Sequence, residues 1–379
     1  MTIRLPKCKI RLFVFFLYNL CFVLYMQNMI SNVYYLVTLA LFSLMNGVMI
    51  LNKKIQIKQG IKEFRLGIIF ILVFFIISII MQLFNKDLEL KILFNDIIRL
   101  GLPIINAFLF VNTIEKADQK IFFDIFLFRF ILQFILINAS NISLQNILSI
   151  SWSDSSSAME SSLAHDFMIM EMYFLMKKER KKAFISMVFC MLSMKRLSFI
   201  LAPLFFIFSK CVNNEKEVKQ VFLNILKLVA IISPLFMLMM YSNEFQNFLL
   251  NSYNIDLNSF MSGRVQIYQL LVNNIPYFNG LGSVNAFLGE FAKNSFGTTW
   301  NGILHNDFLR IYFETTIIGV IVFSNNLVEM SKKNYWHYMM VAYLILVAIT
   351  SHILNYFSVW VTLYMIIMSY ENKKIVKNE

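Results

Sequence analysis

Long apolar runs follow one another along almost the whole chain, and each carries few charged residues. A helix that crosses the hydrocarbon core of a bilayer needs about 20 apolar residues. On this basis the sequence predicts about twelve spans, at residues 12–30, 33–51, 66–84, 97–113, 121–138, 163–176, 183–194, 197–211, 221–241, 303–324, 336–350 and 352–370. The runs are too long and too continuous for barrel strands. We therefore expect an all-α, polytopic integral membrane protein whose helices satisfy their own backbone hydrogen bonds.

The composition supports a lipid environment and argues against several other classes. Hydrophobic residues make up 58% of the chain and charged residues 15%, and the 40 Phe and 23 Met exceed the needs of a soluble core. The net charge of +12 does not indicate nucleic-acid binding, because Lys and Arg lie mostly in short clusters between apolar runs. The four cysteines lie in or beside predicted spans or on cytoplasmic loops, so they predict neither a disulfide framework nor a cysteine-based metal site.

The basic clusters predict how the chain is oriented in the membrane. They lie at residues 7–11, 53–65, 177–182 and 332–333 and in the tail NKKIVKNE. Basic residues concentrate on the cytoplasmic side of membrane proteins, so both termini are predicted to be cytoplasmic. The first apolar run is long and no small-residue cleavage site follows it, which favours an uncleaved first span.

This topology divides the chain into three predicted parts. Residues 1–241 contain spans one to nine, residues 242–302 form a large extracytoplasmic loop with an amphipathic helix, and residues 303–379 contain the last three spans and the cytoplasmic tail. The Ser-rich segment at 149–162 is also predicted to lie outside.

A short set of ionisable residues lies at the predicted outer ends of the spans and in the external loop. They are His165, Asp166, Lys195, Arg196, Arg264, His305, Asp307, Arg310 and Glu314. An ionisable residue at membrane depth costs about 2.5–3.5 kcal/mol, so each needs a partner, a water-filled cavity or a task.

Lys195 and Arg196 form a tight basic turn between two apolar runs at the predicted outer boundary of the bilayer. One interpretation is a plain loop in which both cations extend their charged ends to water. The other is an anion site, in which Arg196 is the stronger candidate because a planar guanidinium can bind two phosphate oxygens at once.

Arg264 begins a predicted short amphipathic helix within the sequence MSGRVQIYQLLVNN. Val265, Tyr268 and either Leu271 or Val272 fall on one side of this helix, which could lie on the membrane surface. Arg264 is then either a solvated charge on a loop helix or part of a functional site.

The segment HNDFLRIYFETTIIG at residues 305–319 begins the tenth predicted span with several ionisable residues. Asp307 suits the positive end of the helix dipole, and Arg310 and Glu314 are spaced for an i,i+4 ion pair. One interpretation is a self-satisfied ion network with His305 as an interfacial cap. The other is catalysis, since a neutral imidazole near the water boundary is a suitable general base at about pH 7.

His165 and Asp166 repeat a His-Asp pair at the outer start of the sixth predicted span. The pair could orient a base or help to hold a metal, but two His and scattered carboxylates make no recognisable metal set. Helix capping is the alternative. His337 and His352 belong to no motif, and we expect core or interfacial roles for both.

Three features in sequence order resemble the O-antigen polymerase and ligase family of bacterial membrane glycosyltransferases, which includes capsular polysaccharide polymerases. They are the outer basic residue in KRLSF, the external loop with SGRVQIY and then GLGS, and finally HNDFLRIYFETTIIG. GLGS by itself is too short to be a nucleotide-binding fingerprint. The topology resembles the family over nearly the whole chain, whereas the motifs lie between about 190 and 320. The resemblance implies an architecture like that of GT-C-type membrane glycosyltransferases.

The resemblance also implies a reaction and the residues that carry it. The donor is a glycan on undecaprenyl pyrophosphate, and attack by a hydroxyl of an acceptor glycan on its anomeric carbon releases the lipid pyrophosphate. Arg196 and Arg264 would bind the pyrophosphate, and His305 would orient or deprotonate the acceptor. Further substrate-binding candidates are Lys195, Asn306, Asp307, Arg310, Glu314, His165 and Asp166. We expect no metal or other cofactor, because the leaving group is already good.

The implied setting is the outer face of the plasma membrane, in capsule or O-antigen synthesis. The expected partners are the lipid-linked donor and acceptor, membrane lipid, and a flippase and a chain-length regulator of the same pathway, with no nucleic acid. Two positions depart from the family pattern. KRLSF lacks the small residue that often follows the arginine, which leaves Lys195 as a substitute for Arg196, and ETTIIG has Thr where Gly is common after the glutamate.

Other functions remain open at this point. A composition rich in Lys, Ile, Asn and Phe suggests an AT-rich genome, which favours a polymerase over a ligase that joins the glycan to another acceptor. A transporter such as a flippase is the main rival from another class. The halves of the chain show no visible repeat, and the ionisable groups lie at one outer face and not at the membrane midplane, which argues against a transporter. A regulatory membrane subunit is the third possibility.

Overall fold

The computed structural model describes residues 7–51, 59–85, 89–139, 160–212, 216–260, 264–274, 280–296 and 303–370. Every regular element within these ranges is a helix. The predicted all-α class is therefore confirmed. Most of the Ser-rich segment predicted at 149–162 lies outside the described residues.

The described residues form sixteen α-helices, numbered here in chain order. The first eight are α1 (Lys7–Met26), α2 (Asn32–Leu51), α3 (Ile61–Asn85), α4 (Leu90–Thr113), α5 (Lys116–Asn138), α6 (Leu163–Met176), α7 (Arg180–Leu192) and α8 (Arg196–Phe208). The others are α9 (Gln220–Met240), α10 (Asn243–Tyr253), α11 (Leu257–Phe260), α12 (Arg264–Asn274), α13 (Ser283–Phe296), α14 (Asp307–Ser331), α15 (Tyr335–Thr350) and α16 (Phe357–Met368). Short 3-10 turns follow α8 at Ser209–Cys211 and precede α16 at Ile353–Asn355.

Among the described residues, seven helices are long and apolar enough to cross a membrane. They are α1, α2, α3, α4, α5, α9 and α14. The apolar helices α15 and α16 are shorter. These helices agree with a multi-pass membrane protein, whereas the count of twelve spans stays a prediction.

Three of the predicted spans correspond to short helices. α6, α7 and α8 have 14, 13 and 13 residues, which corresponds to lengths of about 20 Å at a rise of about 1.5 Å per residue. The hydrocarbon core of a bilayer is about 30 Å thick. Each of these helices alone is therefore too short to cross it.

The chain forms two compact units. The first comprises the described residues within Met1–Phe64, Ile105–Val212 and Val361–Glu379, and the second comprises those within Arg65–Ile104 and Asn213–Trp360. These units group residues by contact, whereas the predicted divisions at 241 and 302 describe membrane topology and stay a prediction.

The first unit has an aromatic core. Within it α1 packs against α2 and α5, and α6 packs against α5, α7 and α8. The ring of Phe15 lies between 4.7 and 5.2 Å from the rings of Phe42, Phe122 and Phe126. Aromatic rings bury large apolar areas at such distances, so they contribute much of the packing energy.

The second unit contains α9, α14 and α15, which pack against one another. Helix α12, which lies in the predicted external loop, has a buried face that consists of Val265, Tyr268 and Leu271, while Val272 is 51% exposed. The predicted one-sided helix is therefore confirmed, with Leu271 as its third buried residue. This face belongs to a core cluster that also contains Leu309 of α14, so α12 is fixed against the start of that helix.

Helix α14 is broken at Thr316, where the backbone has φ 66° and ψ −175°. This conformation is almost exclusive to glycine, and a residue held in such a region costs about 1–3 kcal/mol. The break separates a first segment, which begins at Asp307 and carries Arg310 and Glu314, from a second segment that ends at Ser331.

We expect Thr316→Gly to stabilise the protein by about 1–2 kcal/mol, because glycine adopts the observed φ without the clash that a Cβ causes. The measurement is the unfolding of the purified protein in detergent. Thr315→Gly is the matched control. Thr315 is buried and its hydroxyl donates to the Ile311 carbonyl at 2.7 Å, so its replacement should destabilise the protein by about 1 kcal/mol or more. Equal effects of the two changes would show that Thr316 is not strained.

Candidate functional site

The candidate site lies in the second unit, where three separate segments meet. They are the first two turns of α12, the residues directly before α14, and the connection between α15 and α16. The side chain of Asn306 caps α14 by accepting a hydrogen bond from the Leu309 N–H at 2.8 Å. His305 is the residue before this cap and is half-buried, so its ring lies at the edge of a fixed helix.

His305 contacts a second histidine, which the sequence motifs do not include. Nδ1 of His305 lies 3.0 Å from Nδ1 of His352. Nε2 of His352 lies 2.8 Å from the hydroxyl oxygen of Tyr356. All three side chains are half-buried. Two imidazoles and a phenol therefore form a chain of hydrogen bonds that starts at the predicted base.

Helix α12 is attached to this chain at two points. Nη1 of Arg264 donates to the carbonyl of Thr350 at 3.0 Å, two residues before His352. The hydroxyl of Tyr268 donates to the carbonyl of His305 at 3.1 Å, and the Tyr268 ring stacks on Tyr241 at 4.1 Å. Burial raises the pKa of Tyr268 well above its usual range, so the hydroxyl remains a neutral donor.

A buried ion cluster lies within the first turns of α14. Nε of Arg310 donates to Oε1 of Glu314 at 3.0 Å, and Nη2 forms an ion pair with Asp96 of α4. Nη1 of the same guanidinium donates to Oδ1 of Asn355 at 3.3 Å. Asp307 accepts the Leu354 N–H at 2.9 Å. The predicted i,i+4 pair is confirmed, and Asp96 is the partner that the sequence motif did not include.

The GLGS turn docks on this ion cluster. The Gly280 N–H donates to the Glu314 carbonyl at 3.1 Å, and the Val284 N–H donates to Oε1 of Glu314 at 3.3 Å. Gly280 has φ 84° and Gly282 has φ 91°, a region that favours glycine. A Cβ on Gly282 would lie 2.6 Å from Cγ2 of Ile92. The turn therefore joins the N-terminus of α13 to Glu314, which gives GLGS a structural role.

Lys195 and Arg196 belong to the first unit. Lys195 forms an ion pair with Glu160, so its charge already has a protein partner. Arg196 is half-buried, and its buried Nη2 has no hydrogen-bond partner among the described residues. Buried donors are nearly always satisfied, so an anion or a water molecule is the expected partner of Nη2. This difference favours Arg196 over Lys195 as the anion-binding residue.

His165 and Asp166 lie in the first turn of α6, also in the first unit. Both side chains are buried, at 3% and 5% exposure. The described residues contain no group of three or more His, Cys, Asp or Glu side chains that could hold a metal ion. Burial favours the capping or packing interpretation of this pair over substrate binding. His337 is also fully buried, at the start of α15, in agreement with a core role.

Exposure separates the predicted site residues into two groups. His305 and Arg264 are half-buried, whereas Asn306, Asp307, Arg310 and Glu314 are almost completely buried. Burial and mutual pairing favour the predicted ion network for the second group. The buried residues hold the backbone next to His305 in place, and the half-buried residues are the ones that solvent reaches.

Sequence reasoning missed Asp96, His352 and Tyr356. Asp96 occurs just before the fourth predicted span, and an acidic residue at a span boundary could have been paired with Arg310. His352 and Tyr356 are four residues apart, which is the spacing of one helical turn. Their importance depends on contact with His305, and that contact has no local signal in the sequence.

We expect Arg310→Met to destabilise the protein by about 3–5 kcal/mol, because it leaves the buried Glu314 and Asp96 carboxylates without their counter-ion. Arg99→Met is the matched control. Nη1 of Arg99 lies 3.7 Å from the same Asp96, but the Arg99 side chain is 55% exposed. Its loss should therefore cost about 0–1 kcal/mol. The unfolding of both variants in detergent measures the difference, and similar losses would contradict the proposed importance of the buried pair.

The site thus offers an imidazole with an oriented partner, a guanidinium on a fixed helix, and a buried ionic support. This combination can deprotonate a hydroxyl and stabilise a phosphate group. No model of a known protein family, no curated protein and no solved structure matches this chain.

Proposed function

We propose that the protein is a membrane glycosyltransferase that polymerises undecaprenyl-pyrophosphate-linked oligosaccharide repeat units on the outer face of the plasma membrane, for capsule or O-antigen synthesis. One observation carries the proposal. Hydrogen bonds join the half-buried imidazole of His305 and the helix of Arg264 in a single cluster. A base for a hydroxyl and a guanidinium for a phosphate group are the two functions that this reaction needs.

The proposed reaction is a glycosyl transfer without a metal. The hydroxyl oxygen of the acceptor glycan forms a bond to the anomeric carbon of the donor glycan. The bond between that carbon and the pyrophosphate oxygen breaks, and its electron pair stays on the pyrophosphate. Nε2 of His305 accepts the hydroxyl proton and later releases it to water. Since negative charge grows on the leaving group, a guanidinium near it lowers the barrier.

Two arginines supply the positive charge in this proposal. At the start of α12, Nη1 of Arg264 donates a hydrogen bond to the Thr350 carbonyl, which holds the side chain in place. This contact uses only Nη1 of the guanidinium. The family resemblance also assigns a pyrophosphate-binding role to Arg196, and the unpartnered Nη2 of Arg196 supports an anion-binding role. Arginine suits pyrophosphate because its planar donors can engage two oxygens at once.

The positions of the polar groups support an outward-facing site. Arg264, His305 and His352 lie at helix ends or in connections that the basic clusters assign to the outer side, and Asp96 lies in the second turn of α4, just before the fourth predicted span. On the opposite side, the Val218 N–H donates to the Lys332 carbonyl at 3.5 Å, and both residues belong to predicted cytoplasmic ends. In this topology both termini are cytoplasmic, and a flippase would deliver the lipid-linked units to the site.

We expect Arg196→Ala, Arg264→Ala and His305→Ala each to leave mainly single repeat units on gels of the cell-surface glycan. Loss of a general base lowers a rate by about 10²–10⁴-fold, and loss of one charge-stabilising donor lowers it by about 10²–10³-fold. Such losses would stop chain growth while export of the units continues. The measurement is glycan length in cells that carry each variant at matched membrane levels.

Lys293→Ala is the control for loss of a positive charge in the external loop. Lys293 is exposed in the last turn of α13, and its replacement should leave long polymer unchanged. Long polymer in all three site variants would contradict the proposed roles of Arg196, Arg264 and His305. Repeat units trapped inside the cell would instead identify a transporter. Long free polymer that is not attached to its final acceptor would identify a ligase.

A further inference from the structure

We propose that His352 is a positioning residue for the reaction, and that it holds His305 in the tautomer whose Nε2 faces the acceptor hydroxyl. Tyr356 is the next member of the same hydrogen-bonded chain. The inference rests on the proposed function, because it concerns how the predicted base is prepared for its task. No motif in the sequence assigns a role to His352 or Tyr356.

The contact between the two histidines permits only one proton between the facing nitrogens. The Nδ1 atoms lie 3.0 Å apart, which is hydrogen-bond distance. If both carried a proton, the two N–H groups would oppose each other, and if neither did, two lone pairs would. One Nδ1 therefore donates and the other accepts.

A base at Nε2 of His305 determines the direction of this bond. A neutral imidazole carries one proton, and a base at Nε2 requires that proton on Nδ1. Nδ1–H of His305 then donates to Nδ1 of His352. His352 must carry its own proton on Nε2, which lies 2.8 Å from the Tyr356 hydroxyl oxygen. The phenol oxygen accepts that proton, so both observed distances are compatible with the tautomers that a base at Nε2 of His305 requires.

The same arrangement suits the state after proton transfer. When Nε2 of His305 has taken the acceptor proton, the ring is an imidazolium and both of its nitrogens are donors. Its Nδ1–H still points at an acceptor, the Nδ1 of His352. A hydrogen bond from a charged donor is stronger than one from a neutral donor. The partner imidazole therefore favours the charged form, in which the base holds the proton that leaves the hydroxyl.

The ion cluster fixes the position of His352. The three residues that follow it form the 3-10 turn Ile353–Asn355. The Leu354 N–H donates to Asp307 at 2.9 Å, and Asn355 accepts from Arg310 at 3.3 Å. The indole N–H of Trp360 donates to the Ile353 carbonyl at 2.9 Å. Each residue of the turn is held by a different group, so the backbone next to His352 has little freedom.

The buried charges of Asp307 and Arg310 connect the backbone next to His305 with the backbone next to His352. Asp307 and Arg310 lie on α14 directly after His305, and they bind the turn directly after His352. The two histidines are thus mounted on one rigid support. A small displacement of a catalytic group lowers a rate strongly, so a rigid support for both rings favours catalysis.

Replacement of His352 by the two carboxamides tests the proposal. Oδ1 of Asn can occupy the place of the imidazole Nδ1, whereas the carboxamide of Gln reaches the place of Nε2. We expect His352→Asn to keep an acceptor for the His305 Nδ1–H and to retain kcat within about 10-fold of wild type. His352→Gln and His352→Phe should lower kcat by about 10²-fold or more, the size of a general-base contribution. Tyr356→Phe should lower kcat by a smaller factor.

The assay uses the full-length protein in detergent, with lipid-linked repeat units extracted from cells that lack the chain. KM should stay within about 2-fold of wild type in every His352 variant, since the residue acts on the base and not on substrate binding. Thermal unfolding establishes that each variant is folded. If His352→Phe does not fold, the Asn and Gln variants, which are both polar, still provide the comparison.

The outcomes separate the inference from the function on which it rests. Full activity of His305→Ala would overturn the proposed function and the inference together. Loss of activity in His305→Ala with wild-type kcat in all His352 variants would overturn the inference and leave the function. Equal loss in His352→Asn, His352→Gln and His352→Phe would also overturn it, because the contact would then be only packing. Retention in His352→Asn alone supports the orienting role.

Discussion

The buried guanidinium of Arg310 is the interaction on which the rest of the site depends. A charge in a low-dielectric interior is stable only when counter-ions and hydrogen bonds surround it. Arg310 meets this requirement with Glu314 on its own helix, Asp96 on α4 and Asn355 in the turn before α16. Because its donors point in fixed directions, these three elements are held in one arrangement. Burying the charge costs free energy, but the contacts of Arg310 fix the positions of the residues next to His305 and His352.

The backbone around the ion cluster is adapted to the same arrangement. Gly280 and Gly282 adopt positive φ so that the N–H groups of the GLGS turn and of α13 can reach Glu314. Two residues after Glu314, α14 is broken at Thr316 in a conformation that glycine favours. Unusual backbone on both sides of one buried carboxylate indicates that its position is strictly constrained.

The support and the reactive groups are distinct in burial and in role. Arg310 and Glu314 are sealed from solvent, whereas His305, His352 and Arg264 are half-buried. Because burial separates these groups, the ion-network interpretation and the catalytic interpretation of residues 305–319 are compatible. The ion network has a structural role, and His305, which precedes it in the sequence, carries out the proposed chemistry.

The sequence by itself determined the features that depend on local periodicity: the apolar helices, the Arg310–Glu314 pair and the buried side of α12 with Val265 and Tyr268. Only the tertiary structure decided that Asp96 completes the ion pair from 214 positions away, and that His352 meets His305 across 47 positions. It also selected Leu271 over Val272 as the third buried residue of α12. The physical reason is that helix propensity and side-chain spacing act over a few residues, whereas a contact between distant segments depends on how whole helices pack.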